Sequence, residues 1–257
     1  MAIGLSSVSA VSGPAAADPP NGQGLVLNAP VVGLAATPDG QGYWLVAADG
    51  GIFAFGDAGF YGSAAPLNLT KPIVAIASSP DGRGYWEVAS DGGVFAFGDA
   101  GFYGSTGGFP LAQPVVGLQP TPDGRGYWMV AADGGVFAFG DAPYFGSAAG
   151  MSPSPVVGIA PGPGGAGYWE AAADGSVYAF GLATYAGGSG GLQTVAIGAA
   201  ASGYRLLLAN GGVYSLGGAP FLGSAGAVPL QKPMIGLASS SGGYVALSAD
   251  GGIFAFG

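Results

Sequence analysis

One stretch, Gly42-Tyr43-Trp44-Leu45-Val46-Ala47-Ala48-Asp49-Gly50-Gly51-Ile52-Phe53-Ala54-Phe55-Gly56, recurs along the chain, and the recurrence limits what the chain can fold into. The residue after each Gly-Tyr is Trp44, Trp86, Trp128, Trp169, Arg205 and Val245, at spacings of 42, 42, 41, 36 and 40 residues. That period belongs to a supersecondary unit that buries its faces only by stacking on copies of itself. Repeats begin at Pro30, Pro72, Pro114, Pro155, near Thr194 and at Pro233. They divide residues 30–257 into 30–71, 72–113, 114–154, 155–193, 194–232 and 233–257. The first three are almost the same; the last three drift and lose residues in loops.

Each unit offers three or four short strands. In the first they are Val31–Ala36, Tyr43–Ala48, Ile52–Phe55 and a weaker fourth, Phe60–Ser63. No helical periodicity is present, and Gly or Pro interrupts the chain about every ten residues, so helices are not expected. Asp49-Gly50, Asp91-Gly92, Asp133-Gly134, Asp174-Gly175 and Asp250-Gly251 stand between the second and third candidates, with Asn210-Gly211 in the fifth repeat. Such dipeptides predict hairpins with type I′ turns. Alternation puts Trp44 and Val46 on one face and Tyr43, Leu45 and Ala47 on the other. Both faces are apolar, as for strands packed between neighbouring sheets.

The expected fold is therefore an all-β propeller, six blades of about four antiparallel strands, with seven blades or an open β-solenoid as alternatives. The last repeat stops at Gly257 after its third strand, while Gly24-Leu25-Val26-Leu27-Asn28 supplies a spare one. Residues 18–29 are accordingly expected to complete the sixth blade as a closing strand or linker. Residues 1–17 have two readings. The run Ala2–Val11 followed by Ala15-Ala16-Ala17 fits the remnant of a secretion signal without its positive start. Ile3-Gly4-Leu5 also aligns with Ile235-Gly236-Leu237, as a worn fragment of one more repeat.

Composition excludes some functions. Charged residues are only 7% and the net charge is −9, with Lys71, Arg83, Arg125, Arg205 and Lys232 scattered singly. Nothing gathers them into a phosphate-binding patch, so neither nucleic acid nor an anionic membrane surface is an expected partner. The chain has no Cys and no His. The first fact fits any redox compartment; the second removes the commonest general base and metal ligand. No apolar run reaches the roughly 18 residues of a membrane-spanning helix, so membrane insertion is not expected.

The unit Gly-Tyr-Trp-x-Val-Ala-x-Asp-Gly-Gly-Val/Ile-Phe-Ala-Phe-Gly-Asp-Ala-x-Phe-Tyr-Gly-Ser resembles a tandem repeat common in secreted actinobacterial proteins, where it often accompanies cell-wall hydrolase or peptidase domains. The resemblance covers about residues 30–257 and is tightest in the first three copies. It implies secretion and a propeller, and brings no agreed activity with it. A looser likeness is to the propeller repeats of the regulator of chromosome condensation. Choline- and glucan-binding repeats also pair aromatics with Asp-Gly, but are about half as long.

Candidate chemistry is sparse. Asp39, Asp81 and Asp123 stand in Pro-Asp-Gly, and Asp57, Asp99 and Asp141 follow Phe-Gly. Calcium needs several converging oxygens, whereas each of these is alone among Gly and Ala and is discarded in drifted copies, so they read as turn formers. Glu87 and Glu170 share the register of Leu45 and Met129. A glycosidase pair needs its carboxyls about 5 to 9.5 Å apart, and solvent-facing or rim positions fit these two better. No serine has a histidine for a triad, and Gly187-Gly188-Ser189-Gly190-Gly191 is a loop with no helix after it. Trp44, Trp86, Trp128 and Trp169 either stack on sugar rings or pack between blades as core, each burying about 150–250 Å². Their retention together with the whole framework favours core, and their loss at Arg205 and Val245 is then expected to weaken blades five and six. The pairs Phe60-Tyr61, Phe102-Tyr103 and Tyr144-Phe145 lie next to loops and are the second candidates for ligand contact.

These readings combine into a non-enzymatic, secreted or cell-surface binding module for glycan or protein. Its expected ligand contacts are Trp44, Trp86, Trp128, Trp169, Tyr61, Tyr103 and Tyr144. No catalytic residue, metal or cofactor is expected. The alternatives are a structural component of an extracellular assembly, and a hydrolase using Glu87 and Glu170.

Overall fold

The computed structural model describes residues 27–257. Each repeat folds as one three-stranded antiparallel sheet, and the six sheets are β-propeller-like. Sheet one contains β1 (Val31–Ala36), β2 (Gly42–Ala47) and β3 (Ile52–Gly56); sheet two contains β4 (Ile73–Ser78), β5 (Gly84–Ala89) and β6 (Val94–Gly98). Sheet three contains β7 (Val115–Pro120), β8 (Gly126–Ala131) and β9 (Val136–Gly140); sheet four contains β10 (Val156–Pro161), β11 (Gly167–Ala172) and β12 (Val177–Gly181). Sheet five contains β13 (Thr194–Ala199), β14 (Tyr204–Leu208) and β15 (Val213–Leu216); sheet six contains β16 (Met234–Ser239), β17 (Tyr244–Ser248) and β18 (Ile253–Phe256). Apart from a 3-10 turn at Pro163–Gly165, no helix occurs among the described residues.

The first strands pack on one another: β1 on β4, β4 on β7, β7 on β10, β10 on β13, β13 on β16, and β16 on β1. Each has a register shift just before its third residue, which is Gly33, Ala75, Gly117, Gly158, Ala196 or Gly236. Small side chains there permit the approach. A Cβ on Gly33 would lie only 3.4 Å from the Ala75 Cα.

Middle strands are buried on both faces. Trp44 and Val46 pack with Ile73, Ile76 and Tyr85 of sheet two. Leu45 turns the other way, into a cluster with Leu34 of its own sheet and Ala238 and Leu247 of sheet six. The Ser241 amide also donates to the Pro38 carbonyl at 3.3 Å.

Several expectations need correction. The sheets have three strands, not about four. The candidate fourth strand, Phe60–Ser63, leaves the sheet edge and crosses the seam, where a side chain of the next sheet satisfies its backbone. Sheet six has three strands like the others, with β18 as its third; residues 18–29 are the segment expected to complete it. Of that segment, 18–26 lie outside the described residues, as does the signal or worn-repeat segment 1–17, while Leu27 packs against the cluster around Leu34.

The hairpin turn also differs. Ala47 N–H donates to the Gly51 carbonyl at 2.8 Å and Gly50 N–H to the Ala47 carbonyl at 2.9 Å, enclosing the three-residue loop Ala48-Asp49-Gly50. Gly50 has φ +85°, the left-handed residue that closes such a loop. Asp49 Oδ1 accepts from the Gly51 amide at 3.0 Å, so the aspartate caps its own turn. Asn210 does the same for Gly212, which explains their exchange.

Candidate functional site

Four of the seams between sheets are built alike. Trp44, Trp86, Trp128 and Trp169 are at most 2% exposed. Each ring lies against the tyrosine of the next sheet: Trp44 on Tyr85 (5.7 Å between centroids), Trp86 on Tyr127 (5.9 Å), Trp128 on Tyr168 (5.7 Å) and Trp169 on Tyr204 (5.0 Å). Each indole Nε1–H donates to a carbonyl fifteen residues ahead, from Gly59, Gly101, Pro143 and Thr184 respectively. Both the faces and the polar edge of every indole are therefore engaged within the protein. The four tryptophans are core rings and offer no face for a ligand to stack on.

Arg205 stands where the fifth tryptophan would be, and the seam is not left unfilled. Its Nε and Nη2 donate to the Pro220 carbonyl at 3.3 and 3.2 Å, the carbonyl fifteen residues ahead. Its guanidinium lies 4.5 Å over the Tyr244 ring. Arginine thus takes both roles of the indole, the donor and the flat partner for tyrosine.

Glu87 in β5 and Glu170 in β11 are buried, contrary to the solvent-facing or rim positions expected of them. Glu87 Oε1 accepts the Ala64 amide at 3.2 Å and Glu170 Oε1 the Ala148 amide at 3.2 Å. Each Oε2 has no hydrogen-bond partner among the described residues. Burial, reinforced by nearby Asp49 and Asp133, pushes the two carboxyls up to about 8, so at neutral pH they are largely neutral acids. A comparison of repeats explains their presence. Where the register holds Met129, Leu206 or Ala246, the equivalent amide, of Thr106, Ser189 or Ala225, donates to the carbonyl of Gly92, Gly175 or Gly211. The glutamates substitute for that turn carbonyl in two repeats. They occupy separate seams, Glu87 between sheets one and two and Glu170 between sheets three and four.

The connections that cross the seams carry the exposed features. In the first, the Tyr61 amide donates to the Tyr85 hydroxyl at 3.2 Å, and that hydroxyl donates to the Gly62 carbonyl at 2.5 Å. The bond to a glycine carbonyl recurs at Tyr127, Tyr168, Tyr204 and Tyr244. Tyr61 and Tyr103 bend back, their hydroxyls donating to the carbonyls of Gly82 and Gly124 at 3.1 and 2.9 Å. They are consequently half in contact with the next sheet.

The preceding residue points away. Phe60 is 64% exposed, and Phe102, Tyr144, Tyr185 and Phe221 are each 61% exposed. These five occupy one register, four residues after Gly56, Gly98, Gly140, Gly181 and Gly217. Of the aromatics expected to contact a ligand, Tyr144 belongs to this row. Phe60, Phe102, Tyr185 and Phe221 do so without having been singled out by themselves, and the last two were missed. The readable signal was the fixed offset from the Gly at, or in the fifth sheet just after, the end of the third strand.

At the same end of sheets one to three, exposed carboxyls come side by side: Asp39 with Asp57, Asp81 with Asp99, and Asp123 with Asp141. Hydrogen bonds, first from the Gln41 amide to Asp39 and from Ser79 and Thr121 to Asp81 and Asp123, hold the Pro-Asp-Gly carboxyls below the usual range. Burial and neighbouring Asp81 push Asp99 up. No three metal-ligating side chains converge among the described residues. A shallow depression of about 440 Å³, lined by Asn210, Gln231 and Lys232 beside Val228, Leu230 and Pro233, contains no carboxylate. No helix among the described residues is long and apolar enough to cross a membrane. Compared with known proteins, the chain matches no family model and no curated sequence.

Proposed function

We propose that the chain is a non-enzymatic binding module, its six sheets the blades of one closed β-propeller that displays an open aromatic ring on each of five blades. The observation that carries this reading is the row Phe60, Phe102, Tyr144, Tyr185 and Phe221, all more than 60% exposed in equivalent positions. Single exposed apolar residues are ordinary; an aromatic repeated in one register while its neighbours are packed or hydrogen-bonded is a built surface. Closure is supported by Leu45 and Leu34 sharing a cluster with Ala238 and Leu247, so the sixth sheet covers the first as each other sheet covers its neighbour.

Burial of the four tryptophans closes the sugar-stacking sites expected there and moves the preference toward a protein partner. A glycan stacked on the open row is the remaining alternative within the same class. Location outside the cell rests on the repeat resemblance, and the net charge of −9 argues against nucleic acid. A purely structural spacer is the second reading, favoured by the same tryptophan burial.

The test compares wild type with the variant Phe60→Ala/Phe102→Ala/Tyr144→Ala/Tyr185→Ala/Phe221→Ala. Both are immobilised and challenged with a glycan array and with native cell-surface extract. Loss of a bound species from an equally stable variant supports the binding module. Identical retention, or none by either, favours the spacer.

A further inference from the structure

The aromatic row is not electrically uniform. Phe60 follows the Asp39–Asp57 pair by three residues, and Tyr61 beside it reaches Gly82 in the turn that carries Asp81. Phe60 therefore lies between the first carboxyl pair and the second. Phe102 stands in the same way between the Asp81–Asp99 and Asp123–Asp141 pairs, since Tyr103 reaches Gly124. Tyr144 follows the third pair. All six aspartates are exposed, as are Arg83 and Arg125 on the same turns, and among the described residues only Arg125 makes an ion pair, at 4.0 Å to Asp123. This arc keeps a net negative charge. Sheets four and five retain Tyr185 and Phe221 but have Gly164, Leu182 and Gly218 where carboxylates stood. The fold thus does not need these acids, and the two halves of the row present different chemistry.

We propose that the arc from Asp39 to Tyr144 docks a lysine- or arginine-rich polypeptide segment of a partner protein. This inference rests on the aromatic row being a binding surface and adds the chemistry of what it takes. Charge complementarity selects the occupant. A flat aromatic face attracts a cation through its quadrupole, and a carboxyl pair beside it accepts the ammonium or guanidinium hydrogens. Alternating the two along three sheets suits a chain carrying several cationic side chains. A neutral glycan would stack on the rings and donate its hydroxyls to the carboxylates, but it would leave their charge uncompensated. The aspartates at the opposite end, Asp49, Asp91 and Asp133, are each turned into their own hairpin, accepting from Gly51, Gly93 and Gly135. They supply the internal control.

The experiment titrates the full chain into fluorescein-labelled oligolysine and follows fluorescence anisotropy at low and moderate salt. Asp57→Asn/Asp99→Asn/Asp141→Asn is expected to weaken binding about tenfold or more, and added salt to weaken the wild type likewise. Phe60→Ala/Phe102→Ala/Tyr144→Ala is expected to weaken it about fivefold, through lost cation–aromatic contacts. The control Asp49→Asn/Asp91→Asn/Asp133→Asn removes the same charge from the other end, at positions where Asn210 shows the turn survives, and should stay within about twofold. Equal loss in the control would overturn the proposal, because attraction would then be to net charge. Full binding by the aromatic variant would overturn it too. If the oligolysine fails to bind while the five-alanine variant still loses its species from the array or extract, the cationic assignment falls and the binding module stands. If neither assay distinguishes variant from wild type, both fall.

Discussion

The Tyr85 hydroxyl lies 2.5 Å from the Gly62 carbonyl and donates to it across the seam between the first two sheets, while accepting the Tyr61 amide. One side chain thereby satisfies both polar groups of a backbone segment that has no ladder partner. Tyr85→Phe leaves a donor and an acceptor unpaired, at a cost of about 1–3 kcal/mol. Urea unfolding measures this. Tyr103→Phe removes only a rim hydroxyl bond to Gly124 and should cost about 1 kcal/mol or less. Equal costs for the two would contradict the bridging role of the Tyr85 hydroxyl.

Tryptophan fluorescence reports on the seams. With Trp44, Trp86, Trp128 and Trp169 no more than 2% exposed, iodide should quench the native emission little and unfolded chain strongly. Ligands bound at the aromatic row should leave the emission nearly unchanged. Native quenching close to that of the unfolded chain would place the indoles at the surface.

The buried glutamates give stability an unusual pH dependence. Their carboxyls, ordinarily near 4.5, are raised to about 8 in the fold, so between those values the folded chain holds protons that the unfolded chain has released. Stability from this source is complete below about pH 4.5, falls as pH rises toward 8, and is level above it. Glu87→Gln/Glu170→Gln keeps an acceptor for the Ala64 and Ala148 amides and removes the charge, and should flatten the fall. Asp39, Asp81 and Asp123 are lowered and act in the opposite sense, at pH values below this window. Denaturation midpoints from pH 5 to 9 decide it: parallel curves for wild type and variant would contradict the burial of these acids.

The hairpins were legible because strand and turn signals are local. Gly-Tyr-Trp, the Asp-Gly loop and the apolar run after it each fix a few neighbouring dihedrals, and β1 to β3 fall within a residue or so of the expected spans. Phe60–Ser63 misled because its composition is strand-like while its backbone partner is a hydroxyl 23 residues on. The same distance hid the choice between Phe60 and Tyr61: the next sheet, not a local period, turns Tyr61 inward. Glu87 read as solvent-facing because charge normally marks a surface, and its amide partner, Ala64, comes from the preceding repeat. Arg205 read as a lost packing residue because a guanidinium's flat face and donors are visible only beside Tyr244 and Pro220.

The proposed closure would make a circular rim out of a linear repeat, and Leu45 tests it most directly. Leu45 is 2% exposed and packs toward Ala238 and Leu247 of the sixth sheet. In a closed ring Leu45→Ala opens a cavity in that seam and should lower stability by about 2–5 kcal/mol in urea unfolding, with the slope unchanged. In an open solenoid the same face of the first sheet would meet water, and a loss of no more than about 0.5 kcal/mol, as for a surface substitution, would contradict the ring.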